Sequence, residues 1–363
     1  MRRSGLGTSL RCFRASVARA VAYAWGMAWE VQFDRGVNLP QTGWRLDAQR
    51  AAPRAFVSHA HSDHIARHKE MLCTAATARL VRARLPGRRE ETILPFGVAR
   101  EIEPGVTATL HSAGHILGSS QILLQHAEHG ALLYTGDFKL RPGLAAEPCW
   151  TPPRPGMVDT LIMETTFGRP RYVFPSEEEV LAGIRAFCCD ALATGATPVL
   201  FCYSLGKTQE VLRGLAPAGV PVMLHSEAAR LTRIYEQCGV TFPAWRDFDA
   251  RECGGHVIIG PPQGRDGAFL KKIPAARTAV ITGWALDAGA RFRFQCDAAF
   301  PLSDHADYPD LLRFVGLVGP RRVLTLHGFA AEFARDLRAG GLEAWALDDE
   351  NQLEMPLARP PAP

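Results

Sequence analysis

Short runs of alternating hydrophobic and polar residues, separated by Gly, Pro and Asp, predict strands in the first half of the chain. The runs lie at 29–33, 43–46, 55–58, 106–111, 120–126, 131–135 and 158–163. Residues 62–90 instead have the hydrophobic spacing of a helix. This half is therefore expected to consist mainly of sheet, with one helical segment between two groups of strands.

Helices and strands alternate in the middle of the chain. Ser176 is a good N-cap and Glu179 completes a capping box, so a helix is expected to begin there. Strand and helix patterns then follow at 198–203, 205–215, 220–224, 226–238, 256–259 and 278–282. This alternation predicts a small parallel α/β unit. The last part has helical patterns at 303–318 and 330–340 and strand patterns at 322–326 and 343–347.

The composition is that of a globular protein. The chain has 363 residues, 47% of them hydrophobic, which suits two domains or one large α/β domain with an insertion. Its nine cysteines form no CxxC pair, which favours reduced thiols and a cytoplasmic protein. No hydrophobic run approaches the length needed to span a bilayer, so no membrane partner is expected.

Positive charge is concentrated at the start of the chain. The net charge is +4, but residues 1–26 contain five arginines and no acid, so the remainder carries 4 − 5 = −1. Any nucleic-acid surface must therefore be a local patch. We expect residues 1–26 to be a disordered arm, the alternatives being a targeting segment or a true start at Met27. Residues 356–363 are expected to be a flexible tail.

A dense cluster of metal-binding side chains follows the run at 55–58. His59, His61, Asp63 and His64 form an HxHxDH pattern. If the strand at 55–58 continues, its period of two places His59 and His61 on the same face. Imidazole nitrogens and carboxylate oxygens suit zinc and similar divalent ions, and the absence of cysteine argues against a closed structural site. The pattern favours two adjacent metals with an open position for water. The alternative is a polar loop of hydrogen-bonded histidines.

Three further metal-competent residues come directly after predicted strands. They are His115 in HSAGHILGS, Asp137 in YTGDFK and His327 in LTLHG. Polar groups at the ends of strands, next to glycine, occupy the places where α/β sheets carry their sites. Each residue alone would be an ordinary capping group, but together with the HxHxDH cluster they predict one metal centre.

These motifs resemble those of the metallo-β-lactamase superfamily, and specifically its β-CASP nuclease branch. The superfamily motifs match Asp47, the HxHxDH run, His115 and Asp137, and the three β-CASP motifs match Glu164, His305 and His327. The resemblance implies an α/β fold, the αββα sandwich, with an inserted small α/β β-CASP domain. The sandwich would comprise 27–170 and 297–355, and the insertion 171–296.

The resemblance also implies roles for the matched residues. His59, His61 and His115 would hold one metal, Asp63, His64 and His327 the other, and Asp137 would bridge them. The ions would be zinc, with manganese as the alternative, and Asp63 would be essential for catalysis. His305 would be the general acid, oriented by Glu164, and Asp47 would orient a ligand imidazole. Ser204 and Lys207 are candidates for a phosphate seat, the alternative being a helix cap with a solvated lysine.

The phrases HSAGHILGSSQ, YSLGKTQEVL and LSDHADYPDLL are similar to those of ligase-associated bacterial DNA exonucleases. The function implied is hydrolysis of nucleic acid, as single strands or ends, with an ATP-dependent DNA ligase or a helicase as partner. Histidine in the third β-CASP motif is typical of RNA-processing members, so an RNA 3′-end processing nuclease is one alternative. A thioesterase or lactonase is a second, and a non-catalytic binding subunit is a third.

Overall fold

The computed structural model describes residues 28–347. The predicted arm at 1–26, the alternative start at Met27 and the predicted tail at 356–363 lie outside the described residues.

Nineteen strands and seven α-helices make up the described part of the chain. The strands are β1 (Gln32–Phe33), β2 (Val37–Leu39), β3 (Trp44–Leu46), β4 (Arg54–Phe56), β5 (Glu70–Cys73), β6 (Glu90–Ile93), β7 (Ala99–Glu103), β8 (Val106–Ser112), β9 (Ser120–His126), β10 (Gly130–Tyr134), β11 (Thr160–Glu164), β12 (Thr197–Phe201), β13 (Val222–Leu224), β14 (Trp245–Asp247), β15 (Val257–Gly260), β16 (Ala276–Ile281), β17 (Ala298–Phe300), β18 (Arg322–Leu326) and β19 (Glu343–Ala346). The helices are α1 (Ala75–Arg84), α2 (Glu177–Ala193), α3 (Lys207–Gly214), α4 (Ser226–Gln237), α5 (Ala290–Arg293), α6 (Tyr308–Val318) and α7 (Ala330–Ala339).

The strands form three sheets in a mixed α/β structure. The first has the order β1-β2-β3-β4-β5-β6, and the second the order β19-β18-β11-β10-β9-β8-β7. The third has the order β14-β13-β15-β12-β16-β17, and all its pairings are parallel. The alternation of strands and helices in the sequence predicted this parallel pairing.

The first and second sheets share one hydrophobic core. Leu46 and Phe56 of the first sheet belong to the same buried cluster as Leu110 and Ile162 of the second. Leu161, the neighbour of Ile162, belongs to a different cluster that includes side chains of α6 and α7. Because side chains alternate between the two faces of a strand, the second sheet is buried on both faces. Helices thus cover the face of the second sheet that does not pack against the first sheet.

The third sheet has a core of its own. Ile184 of α2, Leu212 of α3 and Ala229 of α4 pack in one buried cluster with Leu200 and Ile259 of the strands. Parallel sheets need this helical cover because each crossover returns over a face of the sheet. β17 belongs to this sheet and lies beyond residue 296, where the sequence analysis placed the end of the insertion.

The helix predicted over 62–90 is wrong for most of its length. Only α1 is helical, and it is flanked by strands β5 and β6. The run Glu70–Cys73 pairs in parallel with β4 on one side and β6 on the other. Burial between two parallel neighbours favours the strand conformation for a short apolar run. The spacing of hydrophobic residues along the sequence does not reveal those neighbours.

Among residues 28–347 no helix is both long enough and apolar enough to cross a membrane. The eight cysteines within that range are free thiols, in agreement with the absence of a disulfide pattern in the sequence.

The predicted capping box at the start of α2 is present. Ser176 Oγ accepts a hydrogen bond from Glu179 N, and Glu179 Oε2 accepts one from Ser176 N. We expect Ser176→Ala to lower the free energy of unfolding by about 1 kcal/mol, because an N–H of the first turn loses its acceptor. Chemical denaturation followed by circular dichroism measures this. Ser176→Asp, which keeps an acceptor, should be near wild type; equal losses in both variants would contradict the capping role.

Candidate functional site

The predicted ligands lie in loops that follow strands of the first two sheets. His59, His61, Asp63 and His64 follow β4, His115 follows β8, Asp137 follows β10 and His327 follows β18. The sequence analysis expected His59 and His61 on one face of a strand, but β4 ends at Phe56. Beyond that end, Ser58 N donates to Asp47 Oδ1 (2.7 Å). The two histidines converge from a loop.

Four of the predicted ligands bring one donor atom each to a common point. His61 Nδ1 lies 3.0 Å from His59 Nε2 and 3.1 Å from His115 Nε2. Asp137 Oδ2 lies 3.4 Å from His59 Nε2 and 3.8 Å from His115 Nε2. Donors placed tetrahedrally at zinc's usual bond lengths are roughly 3.3 Å from one another. The nitrogen and oxygen donors therefore fit a divalent metal ion.

Each of these three histidines is hydrogen-bonded through the nitrogen that faces away from the common point. His61 Nε2 donates to Leu205 O (3.2 Å) and His115 Nδ1 donates to Asp304 O (2.7 Å). A carbonyl oxygen only accepts, so these nitrogens carry the proton and the inner nitrogens have free lone pairs. His59 Nδ1 has a hydroxyl partner, the Oγ of the preceding serine, at 2.9 Å.

The protonation states of these imidazoles suit metal binding. Burial lowers the pKa of His61 and of His115 to about 4. Burial also lowers the pKa of His59 well below its ordinary value, and the neighbouring histidines add to the effect. Metal ligation requires neutral imidazoles, so these three residues are in the ligating form near neutral pH.

The second predicted set is more widely spaced. His64 Nε2 lies 3.3 Å from Asp137 Oδ2 and 3.7 Å from Asp63 Oδ2, and the His327 ring centroid is 5.8 Å from that of His64. The Asp63 side chain is 61% exposed. Burial opposes protonation of His64, but three carboxylates, those of Asp137, Asp63 and Asp47, raise its pKa well above the ordinary value. This end of the cluster attracts positive charge.

The Asp47 carboxylate forms hydrogen bonds with residues on the outer side of the donor cluster. Its Oδ2 accepts hydrogen bonds from His64 Nδ1 (2.9 Å), Ser58 Oγ (2.5 Å) and Tyr134 Oη (2.8 Å). The residue is buried and has a φ of 47°, a strained value outside glycine. Asp47 thus makes a hydrogen bond with His64, one of the predicted ligands. The sequence analysis did not identify Ser58 and Tyr134, although Ser58 directly precedes His59.

His305 and Glu164 form an ion pair beside the cluster. His305 Nδ1 lies 2.8 Å from Glu164 Oε1. Burial disfavours the imidazolium, but Glu164 and two further carboxylates raise the pKa of His305 to about 10. Glu164 is itself fixed by Phe138 N, which donates to Oε1 (3.1 Å), and by Thr166 N, which donates to Oε2 (3.0 Å). His305 is therefore protonated near neutral pH and held in one orientation.

The candidate phosphate seat at Ser204 and Lys207 contains an internal ion pair at the lysine. Lys207 is 2% exposed, and its Nζ lies 3.0 Å from Asp304 Oδ1. The N–H of Gly206, at the start of α3, donates to Gln209 Oε1 (2.7 Å). The charge of Lys207 is thus compensated inside the protein, and the N-cap amide already has an acceptor. The alternative of a solvated lysine is therefore wrong, and the phosphate seat stays a prediction.

Two residues that accept hydrogen bonds from the donor histidines could not be identified from the sequence. Asp304 is adjacent to His305, but it contacts His115 through its backbone carbonyl. Leu205 acts through its backbone oxygen, for which no side-chain pattern exists.

Comparison with known proteins gives relatives along most of the chain. No protein-family model matches. The chain is 58% identical over 335 residues to a protein of Opitutus terrae named probable DNA ligase, a match that covers 92% of this chain and 32% of that protein. It is 33% identical over 187 residues to the 5′ exonuclease Apollo of Gallus gallus, covering 50% of this chain and 39% of the exonuclease.

A third relative is the DNA cross-link repair 1A protein of Gallus gallus, at 22% identity over 339 residues. This match covers 86% of the chain and 34% of the relative. The chain thus spans about a third of the length of these curated relatives.

The convergence on Asp137 predicts the effect of its removal. We expect Asp137→Ala to weaken zinc binding by more than about 100-fold, the upper range for loss of an outer-shell partner, because Asp137 faces both groups of histidines. Elemental analysis after dialysis against a chelator measures this. Asp247→Ala, which removes an exposed carboxylate paired with Arg233, is the control. Equal metal content in both variants would contradict a metal centre here.

Proposed function

We propose that this chain, which is similar to the β-CASP metallo-β-lactamase nucleases, is a metal-dependent phosphodiesterase that acts on nucleic acid. Its most favoured activity is that of a DNA exonuclease linked to repair and ligation. The observation that carries the proposal is the juxtaposition of two groups: the convergent donors of His59, His61, His115 and Asp137, and the His305 imidazole held by Glu164.

The proposal includes the architecture of the family. The first and second sheets, with their shared core and outer helices, would be the αββα sandwich, and the third sheet would be the inserted β-CASP domain. We place the end of the insertion after Phe300 instead of residue 296, because β17 pairs with β16.

In this proposal the donor set of His59, His61, His115 and Asp137 would hold one divalent cation. Asp63, His64 and His327 would hold a second beside Asp137. Zinc suits these donors, with manganese as the alternative. Cations bound there would supply Lewis-acid chemistry, by activating water and neutralising the charge that develops on a phosphate.

The residues around the donors would orient a ligand side chain and supply a proton to the leaving group. Asp47 accepts from His64 Nδ1 and so points His64 Nε2 toward Asp137. Glu164 occupies His305 Nδ1, which leaves Nε2 as the nitrogen able to donate a proton to the departing oxygen. A phosphodiester leaving group is an alkoxide, which needs such a proton.

The names of the relatives favour DNA over RNA as substrate. Two of the three relatives described above carry DNA in their names and the third is called a 5′ exonuclease. His327 favours the RNA 3′-end processing alternative, because histidine at this motif is typical of RNA-processing members. A small-molecule hydrolase such as a thioesterase or lactonase would need neither the third sheet nor the His305–Glu164 pair, so we give it less weight.

A DNA ligase is the proposed partner. The Opitutus protein named probable DNA ligase contains, within one polypeptide, a segment 58% identical to this chain and about twice as much further sequence. We therefore propose that hydrolysis by this chain prepares ends that a ligase reaction then joins.

The decisive test uses single-stranded DNA and RNA of identical sequence, labelled in turn at the 5′ and 3′ ends. We expect stepwise loss from one end of DNA, and a decrease in kcat of about 10²–10⁴-fold in His305→Ala with zinc content unchanged, because the proton donor is lost. His256→Ala, which changes a histidine bonded to Gly254 O in the third-sheet region, is the control. Preference for RNA would favour the RNA alternative, and hydrolysis of thioesters without cleavage of either nucleic acid would overturn the proposal.

A further inference from the structure

The turn that joins β12 to α3, residues 202–206, reaches from the third sheet into the donor cluster. Leu205 O accepts the hydrogen bond of His61 Nε2 (3.2 Å). Gly206 has a φ of 84°, and a Cβ there would overlap the side chain of Ile116, which follows His115. The turn therefore lies directly against two of the three loops that carry imidazole donors, and only glycine fits at its closest point.

Lys207, the first residue of α3, extends this contact. Its Nζ lies 3.0 Å from Asp304 Oδ1, and both side chains are largely buried. Asp304 in turn presents its carbonyl to His115 Nδ1 at 2.7 Å. The residue after Asp304 is His305, whose ring meets Glu164. One ion pair thus fixes the segment that orients a donor histidine and carries the proposed general acid.

We propose that Lys207 is a positioning residue for the metal centre, which it serves by holding Asp304 in the place where its carbonyl fixes His115. This inference rests on the proposed function in one respect, namely that His59, His61, His115 and Asp137 bind a divalent metal. Leu205 O, in the third-sheet region, accepts from His61 Nε2, and Lys207 of the same region pairs with Asp304, whose carbonyl accepts from His115 Nδ1. The third-sheet region then supports the orientation of two donor histidines.

The geometry favours this role over a phosphate contact. The Lys207 side chain is 2% exposed, so its ammonium has little access to a phosphate arriving from solution. Its charge is already balanced by Asp304. Removing the ammonium would leave the Asp304 carboxylate buried without its cation, which is far less favourable than a neutral pair. We expect the 303–305 segment to shift as a result.

The test compares Lys207→Met with wild type by metal affinity. Competition with a chelator gives the affinity for Zn²⁺, and the visible absorption of the Co²⁺-loaded protein reports the geometry of the donors. We expect Lys207→Met to bind Zn²⁺ about 10–100-fold more weakly, the range for loss of an outer-shell partner, with an altered Co²⁺ spectrum. Lys207→Arg, which keeps the charge, should recover part of the affinity. Arg213→Met, in the last turn of the same helix, is the matched control.

The reciprocal variant keeps the test decisive if Lys207→Met does not fold. Asp304→Asn removes the other half of the ion pair and should also weaken Zn²⁺ binding. The double variant with Lys207→Met should bind more tightly than Lys207→Met alone, because no buried charge is left unpaired.

Wild-type Zn²⁺ affinity and an unchanged Co²⁺ spectrum in Lys207→Met, with a raised KM for DNA, would overturn the inference and restore the phosphate contact. The outcome is independent of the reaction catalysed. If the protein binds zinc and hydrolyses no nucleic acid, the proposed function fails, while the comparison of affinities still decides the role of Lys207.

Discussion

The buried carboxylate of Asp47 connects the parts of the structure on which the site depends. It lies just after β3 in the first sheet and accepts hydrogen bonds from Ser58 and His64 in the histidine loop. It also accepts one from Tyr134, at the end of β10 in the second sheet. A buried carboxylate is tolerated only when its oxygens accept enough hydrogen bonds. The two sheets and the loop must therefore be correctly positioned to bring their donors to the Asp47 carboxylate. The geometry of the site therefore depends on the packing of the two sheets.

Sequence patterns singled out side chains that the structure brings together, but they did not predict the local structure of those residues. The HxHxDH run contains His59 and His61, and the strand-end motifs contain His115 and Asp137; the donor atoms of these four residues lie within 4.8 Å of one another. The period-2 argument for His59 and His61 failed because β4 ends at Phe56. Beyond that end Ser58 N donates to the distant Asp47, and such a contact leaves no trace in local hydrophobic spacing.

The fold shows the same division between local and tertiary information. The parallel pairing of the third sheet followed from alternating strand and helix patterns, and the capping box of α2 from two residues three apart. Strand β5 was missed because its assignment depends on partners on both sides. The alternative of a solvated Lys207 failed for a related reason: only the position of Asp304, 97 residues later, shows that the charge is compensated internally.

The hydrogen bonds from His61 to Leu205 O and from His115 to Asp304 O join residues 144 and 189 positions apart in the chain. Closing loops of that length costs entropy, which the packing of the intervening segments must offset. Both donor histidines therefore hold their orientation only while segments far apart in the chain stay docked. A cation that binds this geometry would stabilise the folded structure over any state in which those segments are apart.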